Sequence, residues 1–108
     1  MRTLSALIRI GSTLYPQARG SYIKWVSGEP YVDAFGAAWV ALFGQLPKHT
    51  MGEAIPKDVI HGVGLSNFYV QHPMKDECRP LMYVIVNLND YYRWPREKIA
   101  DWLESEGL

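Results

Sequence analysis

Four side chains of this chain could ligate a metal: His49, His61, His72 and Cys78. Tetrahedral zinc accepts such a mixed nitrogen and sulfur set. Their spacings are wide, however, and no CxxC or HxxxH pair holds two ligands together. The sequence therefore points to scattered turn and surface side chains, with no metal and no cofactor. A nucleophilic thiol would need a base within hydrogen-bond reach and a third group to orient that base. Cys78 with His72 supplies the pair on paper, with Asp76 or Glu77 as the orienting group. Proximity inside one short turn is weak ground for catalysis, and a structural thiol near a helix start is the simpler reading. Gly62-Val63-Gly64 lacks a third glycine at phosphate-loop spacing and a following Lys-Ser or Lys-Thr, so it reads as a turn. The carboxylate pairs Asp76/Glu77 and Glu104/Glu106 read as solvated charges, and neither HExxH nor GxSxG occurs.

The sharpest candidate is Tyr91-Tyr92-Arg93-Trp94-Pro95-Arg96. Aromatic rings beside arginine suit a protein-contact hot spot, or base stacking on a single strand. Tyr91, Tyr92, Arg93, Trp94 and Arg96 are thus the candidate partner-binding residues. The plainer alternative is that Trp94 and one tyrosine pack a helix junction while both arginines only solvate it. Residues 96–103 are also similar to the first helix of a helix-turn-helix, where a turn and a recognition helix must follow. Only a short stretch to Leu108 follows here, and Glu97, Asp101, Glu104 and Glu106 oppose entry into a DNA groove.

The elements that must position these residues follow from periodicity and punctuation. Thr3 can cap a first helix with Leu4, Leu7, Ile8 and Leu14 near one face; Gly11 weakens its middle and Pro16 stops it. Residues 21–26 read as a short strand, and Ser27-Gly28-Glu29-Pro30 as the turn that ends it. From Tyr31 to Phe43, Phe35, Ala38, Trp39 and Leu42 recur at helical spacing, and Gly44 is a natural stop. Residues 45–64 hold Pro47, Gly52, Pro56, Gly62 and Gly64 without a sustained period, and read as one long irregular region. Residues 66–70 could form a second strand that pairs with the first. Over residues 81–90, Leu81, Val84, Ile85 and Leu88 fit a helix, while the β-branched run keeps a strand reading open. Pro95 opens a last helix with the stripe Ile99, Trp102 and Leu103. Trp39, Val84, Ile85, Leu88, Ile99 and Trp102 are expected to be buried together.

Composition bounds what such a chain can do. At 108 residues it can build one hydrophobic core, so residues 1–108 read as a single globular domain. The 48% hydrophobic and 20% charged content excludes a disordered chain. Eleven basic and eleven acidic residues give a net charge of zero, which disfavours phosphate-driven nucleic-acid binding and leaves self-association open. Cys78 is the sole cysteine, so no disulfide forms within the chain and a reducing, cytoplasmic setting is expected. The N-terminal run is short and interrupted by Arg9, and no segment reaches membrane-spanning length.

Two stretches carry a resemblance. Phe35-Gly36-Ala37-Ala38 is one; the other is Val84-Ile85-Val86-Asn87-Leu88-Asn89-Asp90, followed by Arg93-Trp94-Pro95-Arg96-Glu97-Lys98-Ile99-Ala100-Asp101-Trp102. Together, over about a third of the chain, these resemble small uncharacterised bacterial and phage or prophage proteins. Many of those carry a Cys-Pro-x-Cys pair before the Leu-Asn-Asp segment. His72-Pro73-Met74-Lys75 stands at the comparable place here, so the resemblance implies no metal site, and it implies no activity. The expected fold is α+β, mainly helical, with about four helices and a short two-stranded element. The expected function is a non-enzymatic intracellular interaction protein, phage or mobile-element encoded, that binds a protein partner or a second copy through its aromatic-basic surface and no membrane. Nucleic-acid binding through Arg93 and Arg96 with the adjacent rings is the alternative, and a small enzyme using His72 and Cys78 is a third class.

Overall fold

Thr3 starts the first helix as its residue type suggests: its Oγ1 accepts the Ala6 N–H at 3.2 Å. The computed structural model describes residues 2–47 and 54–108. In it helix α1 runs Leu4–Ser12 and buries Leu4, Leu7, Ile8 and Gly11. Gly11 is a packing residue. A Cβ there would lie 1.9 Å from the Ala37 carbonyl oxygen, so two helix backbones meet at this point.

Strands β1 (Ile23–Val26) and β2 (Glu29–Val32) form an antiparallel hairpin. Its two-residue turn is Ser27-Gly28, with φ of 52° and 83°, the left-handed pair such a hairpin requires. Glu29 and Pro30, expected in the turn, belong to β2; Pro30 faces Trp25. The far edge of β2 is closed by the preceding loop: Val32 N–H donates to Pro16 O at 2.9 Å, and Ala18 N–H to Val32 O at 3.0 Å.

Helix α2 (Ala34–Phe43) is capped by Asp33, whose Oδ1 accepts the Gly36 N–H at 2.7 Å, and ends at Gly44 with φ 75°. Helix α3 (Ala54–Gly62) lies in the stretch expected to be irregular. Pro56 sits in its first turn, where the missing N–H has no intrahelical partner to lose, and Ile55, Val59 and Ile60 face inward. Strands β3 (Tyr69–Gln71) and β4 (Cys78–Pro80) pair antiparallel with each other. The expected pairing of the first strand with residues 66–70 is thus replaced by two local hairpins. Helix α4 (Leu81–Asp90) removes the strand alternative for residues 81–90, and helix α5 (Arg96–Ser105) follows.

The fold is α+β, with five helices and two small sheets among the described residues. Helix α1 packs on α2 and α5, and α2 packs on α3 and α4. Phe35 stands at the centre of the cluster, fully buried, with Leu7, Ile8, Val59, Val84, Ile85, Leu88, Ile99 and Leu103. Trp39 and Trp102, expected in that centre, are half-buried and pack on its rim. The Cα radius of gyration is 12.6 Å, and about 13 Å is usual for one domain of this size.

A buried polar seam fastens residues 15–20 to the α4–α5 junction. Asn89 is fully buried; its Oδ1 accepts from Gln17 Nε2 at 2.8 Å and Ala34 N–H at 3.3 Å, and its Nδ2 donates to Ala18 O at 3.0 Å. Asp90 accepts the Gly20 N–H at 2.9 Å. The Asn-Asp pair at the end of α4 therefore fastens to the α4–α5 junction a loop whose other side is held by β2.

Candidate functional site

The outward row of α4 is Tyr83, Asn87 and Tyr91 at i, i+4 and i+8, continued by Tyr92. Hairpin β3–β4 returns over this row and docks through His72. The His72 Nδ1 accepts the Met74 N–H at 3.0 Å, so the ring proton lies on Nε2, which donates to Asn87 Oδ1 at 2.7 Å. The ring also packs on Tyr92, with centroids 5.5 Å apart. Tyr92 in turn supports Tyr91 edge-on at 4.9 Å.

Two cations from the hairpin border Tyr83. Lys75 Nζ lies 5.9 Å and the Arg79 guanidinium 5.8 Å from the ring centroid. Glu77 stands between them, 3.7 Å from Lys75 and 3.3 Å from Arg79. The hydrogen bond from Arg79 holds the Glu77 carboxyl below the usual range. The result is a band of tyrosines edged by two cations that share one carboxylate.

The five candidate contact residues separate into two groups. Tyr91 is 73% exposed, more than Tyr83 on the same face at 43%. Tyr92 is half-buried beneath it, and Arg93 is exposed in the left-handed region at φ 57°. Trp94 is half-buried, with Lys98 Nζ 4.2 Å above its ring. Arg96 departs from the expectation. It is only 8% exposed, and its guanidinium donates to Val32 O at 3.0 Å, Tyr15 O at 2.7 Å and Ser12 O at 3.4 Å. Burial pulls its pKa down while Asp33 opposes the shift. Arg96 is a structural cation of the seam, and it cannot meet a partner on the surface.

Among the described residues the sequence-derived ligands do not form a metal site. His61 is exposed on α3, His72 is buried with both ring nitrogens engaged, Cys78 is exposed, and His49 lies outside the described residues. Among the described residues no group of three or more His, Cys, Asp or Glu side chains is placed to hold a metal ion. Asp76 and Glu77 do not orient His72; Asn87 does. Gly62 gives room to Leu42, whose Cδ2 would lie 2.7 Å from a Cβ there, and Gly64 makes a turn at φ 74°.

Sequence reasoning missed Lys75, Arg79 and Tyr83. The outward helical period from Tyr83 to Tyr91 was the available signal for one of them. It also missed a groove of about 460 Å³ at the root of β3, floored by Ile60, Leu65, Leu81 and Met82 and walled by Phe68 and Tyr69. No helix among the described residues is long and apolar enough to cross a membrane. No family model matches the chain, and no curated protein or solved structure matches it.

Proposed function

We propose that this chain is a non-enzymatic protein-binding domain whose contact face is Tyr83, Tyr91 and Tyr92, edged by Lys75, Arg79, Arg93 and Trp94. The observation that carries the reading is the support beneath Tyr91. The ring is exposed yet rests on Tyr92, which rests on the buried, doubly bonded His72. An exposed aromatic held in place loses little entropy on binding, which is the property of a hot-spot anchor. A protein partner is favoured over a phosphate backbone by the zero net charge of the whole chain. At the face Glu77 is shared by both hairpin cations, and Lys98 stacks on Trp94. Action inside the cell and a phage or mobile-element setting belong to the same proposal. They rest on the single cysteine and on the resemblance of the tail.

The test is comparative affinity capture from host lysate. Wild type is set beside a variant carrying Tyr83→Ser and Tyr91→Ser, and both are titrated with single-strand and duplex DNA at two salt concentrations. The expected result is a protein captured by wild type and lost by the variant, with weak DNA binding that the substitutions do not change. Identical captured proteins, or strongly salt-dependent DNA binding that the variant loses, would reject the reading in favour of nucleic acid or another surface.

A further inference from the structure

Hairpin β3–β4 leaves one edge of its main chain unpaired. Its register sets Tyr69 opposite Pro80, Val70 opposite Arg79 and Gln71 opposite Cys78. Flanking those pairs, Leu81 N–H donates to Phe68 O and His72 N–H to Glu77 O, each at 2.9 Å. Antiparallel pairs alternate between hydrogen-bonded and open. Val70 therefore exchanges its bonds with Arg79, and the N–H and C=O of Tyr69 and Gln71 turn away from β4. None of these four groups meets a partner among the described residues; the further bond of Gln71 runs from its side chain to Lys75 O at 2.9 Å. Tyr69 is 61% exposed and Gln71 is exposed as well. The opposite edge is blunted, because Pro80 has no N–H to offer. Strand β3 carries no proline and no charge, the usual means of keeping a sheet edge from pairing.

We propose that β3 is a self-association edge, and that a second copy of this chain adds its own β3 antiparallel about a two-fold axis at Val70. The spacing of the open groups fits this occupant. Tyr69 and Gln71 lie two residues apart, so the two-fold axis sets each Tyr69 opposite the partner's Gln71 and satisfies all four groups on both copies. Val70, whose side chain is buried in its own core, then lies opposite the partner's Val70 along the main chain, with no like-charge clash. The sheet becomes four-stranded in the order β4-β3-β3-β4, and the contact is isologous. Tyr69, Val70 and Gln71 carry no charge, so two copies of this edge meet without repulsion. The zero net charge of the chain adds no repulsion between copies. This edge is distinct from the tyrosine face on α4, so dimerisation and partner binding can fail independently.

Three-residue strands make a small contact, so sedimentation velocity is run from roughly 10 μM to roughly 1 mM, where such interfaces associate. Two double variants accompany wild type: Tyr69→Lys with Gln71→Lys, and Tyr69→Glu with Gln71→Glu. In either variant alone, like charges oppose each other at both pairs; in a mixture of the two, every pair is Lys against Glu. The expected result is a wild-type mass that rises towards the dimer, association weakened about tenfold or more in each variant, and recovery in the equimolar mixture. Recovery also shows that both variants are folded. A wild type that stays monomeric throughout, a variant that dimerises like wild type, or a mixture that does not recover would each overturn the proposal.

Discussion

Arg96 gathers three main-chain carbonyls from two segments that are distant in sequence, Ser12 and Tyr15 from one and Val32 from the other. Removing it leaves the part-buried carbonyls of Ser12 and Tyr15 without this donor, and leaves Val32 O with the Ala18 N–H alone. Arg96→Ala should therefore cost about 2–4 kcal/mol in a urea melt, and Arg96→Lys should not restore it, because one ammonium cannot span the three acceptors. A loss under roughly 1 kcal/mol, the size of an exposed charge effect, would return Arg96 to the surface. Asp33 offers a pH test. Burial pushes its carboxyl from 3.8 to about 8, against the Gly36 N–H, which favours the ionised form. The folded state then holds the proton longer than the unfolded chain does. Stability should fall as pH rises from 3.8 towards about 8 and stay low above it. Asp33→Asn keeps the Oδ1 acceptor for Gly36 and removes the titration, so its melting temperature should fall less than that of wild type across that window. Equal slopes for the two proteins would show that Asp33 is ionised throughout. Arg93 sits at φ 57°, where a side chain other than glycine's is strained. Arg93→Gly should leave stability unchanged or raise it by up to about 1 kcal/mol, since relief of strain offsets the added freedom of the unfolded chain. Any loss of partner binding in that variant is then a property of the side chain.

At the scale of elements, α1 approaches α2 closely at Gly11. Gly→Ala inside an exposed helix normally gains about 1 kcal/mol. Here the new Cβ would meet the Ala37 carbonyl oxygen at 1.9 Å, with backbone and not a flexible side chain in the way. Gly11→Ala should instead destabilise by several kcal/mol or prevent folding, as overpacking against backbone does. A melt within about 1 kcal/mol of wild type would mean that the helices do not cross there. Gly11 shows why parts of the architecture could not be read from one chain. A glycine in a helical pattern looks like a local weakness, and only the partner helix reveals the close approach. Pro56 and Gly62 hid α3 in the same way: the first fills a first-turn position and the second makes room for Leu42. Pro30 and Pro80 hid β2 and β4, because both occupy pairs whose N–H is not needed for the ladder. Elements marked by strong periodicity and caps were legible. Thr3 opens α1, Gly44 closes α2, and the stripe Leu81, Val84, Ile85 and Leu88 faces the core as read. Trp102 extends past the core rim as large rings with a polar edge commonly do; Trp39 is half-buried as well, although its indole N–H is enclosed without a partner among the described residues.

On the scale of the whole molecule, the C-terminal tail divides its residues between two tasks. Asn89, Asp90 and Arg96 tie the N-terminal loop to the α4–α5 junction. Tyr91 and Arg93, between them in sequence, point outward. That division was hidden in the sequence, where the cluster reads as one aromatic-basic unit. Lys75 and Arg79 were hidden for another reason: a tertiary return of the β3–β4 hairpin brings them to Tyr83, and no local pattern encodes it. The central claim is that the tyrosine face binds a protein. The measurement that tests it most directly is the dissociation constant of a captured partner for wild type and for Tyr91→Ser, taken beside their melting curves. An anchor of this kind is expected to weaken binding by about 30-fold, equivalent to roughly 2 kcal/mol, with no change in melting temperature. Binding within about twofold of wild type, a difference of less than roughly 0.5 kcal/mol, would contradict the account.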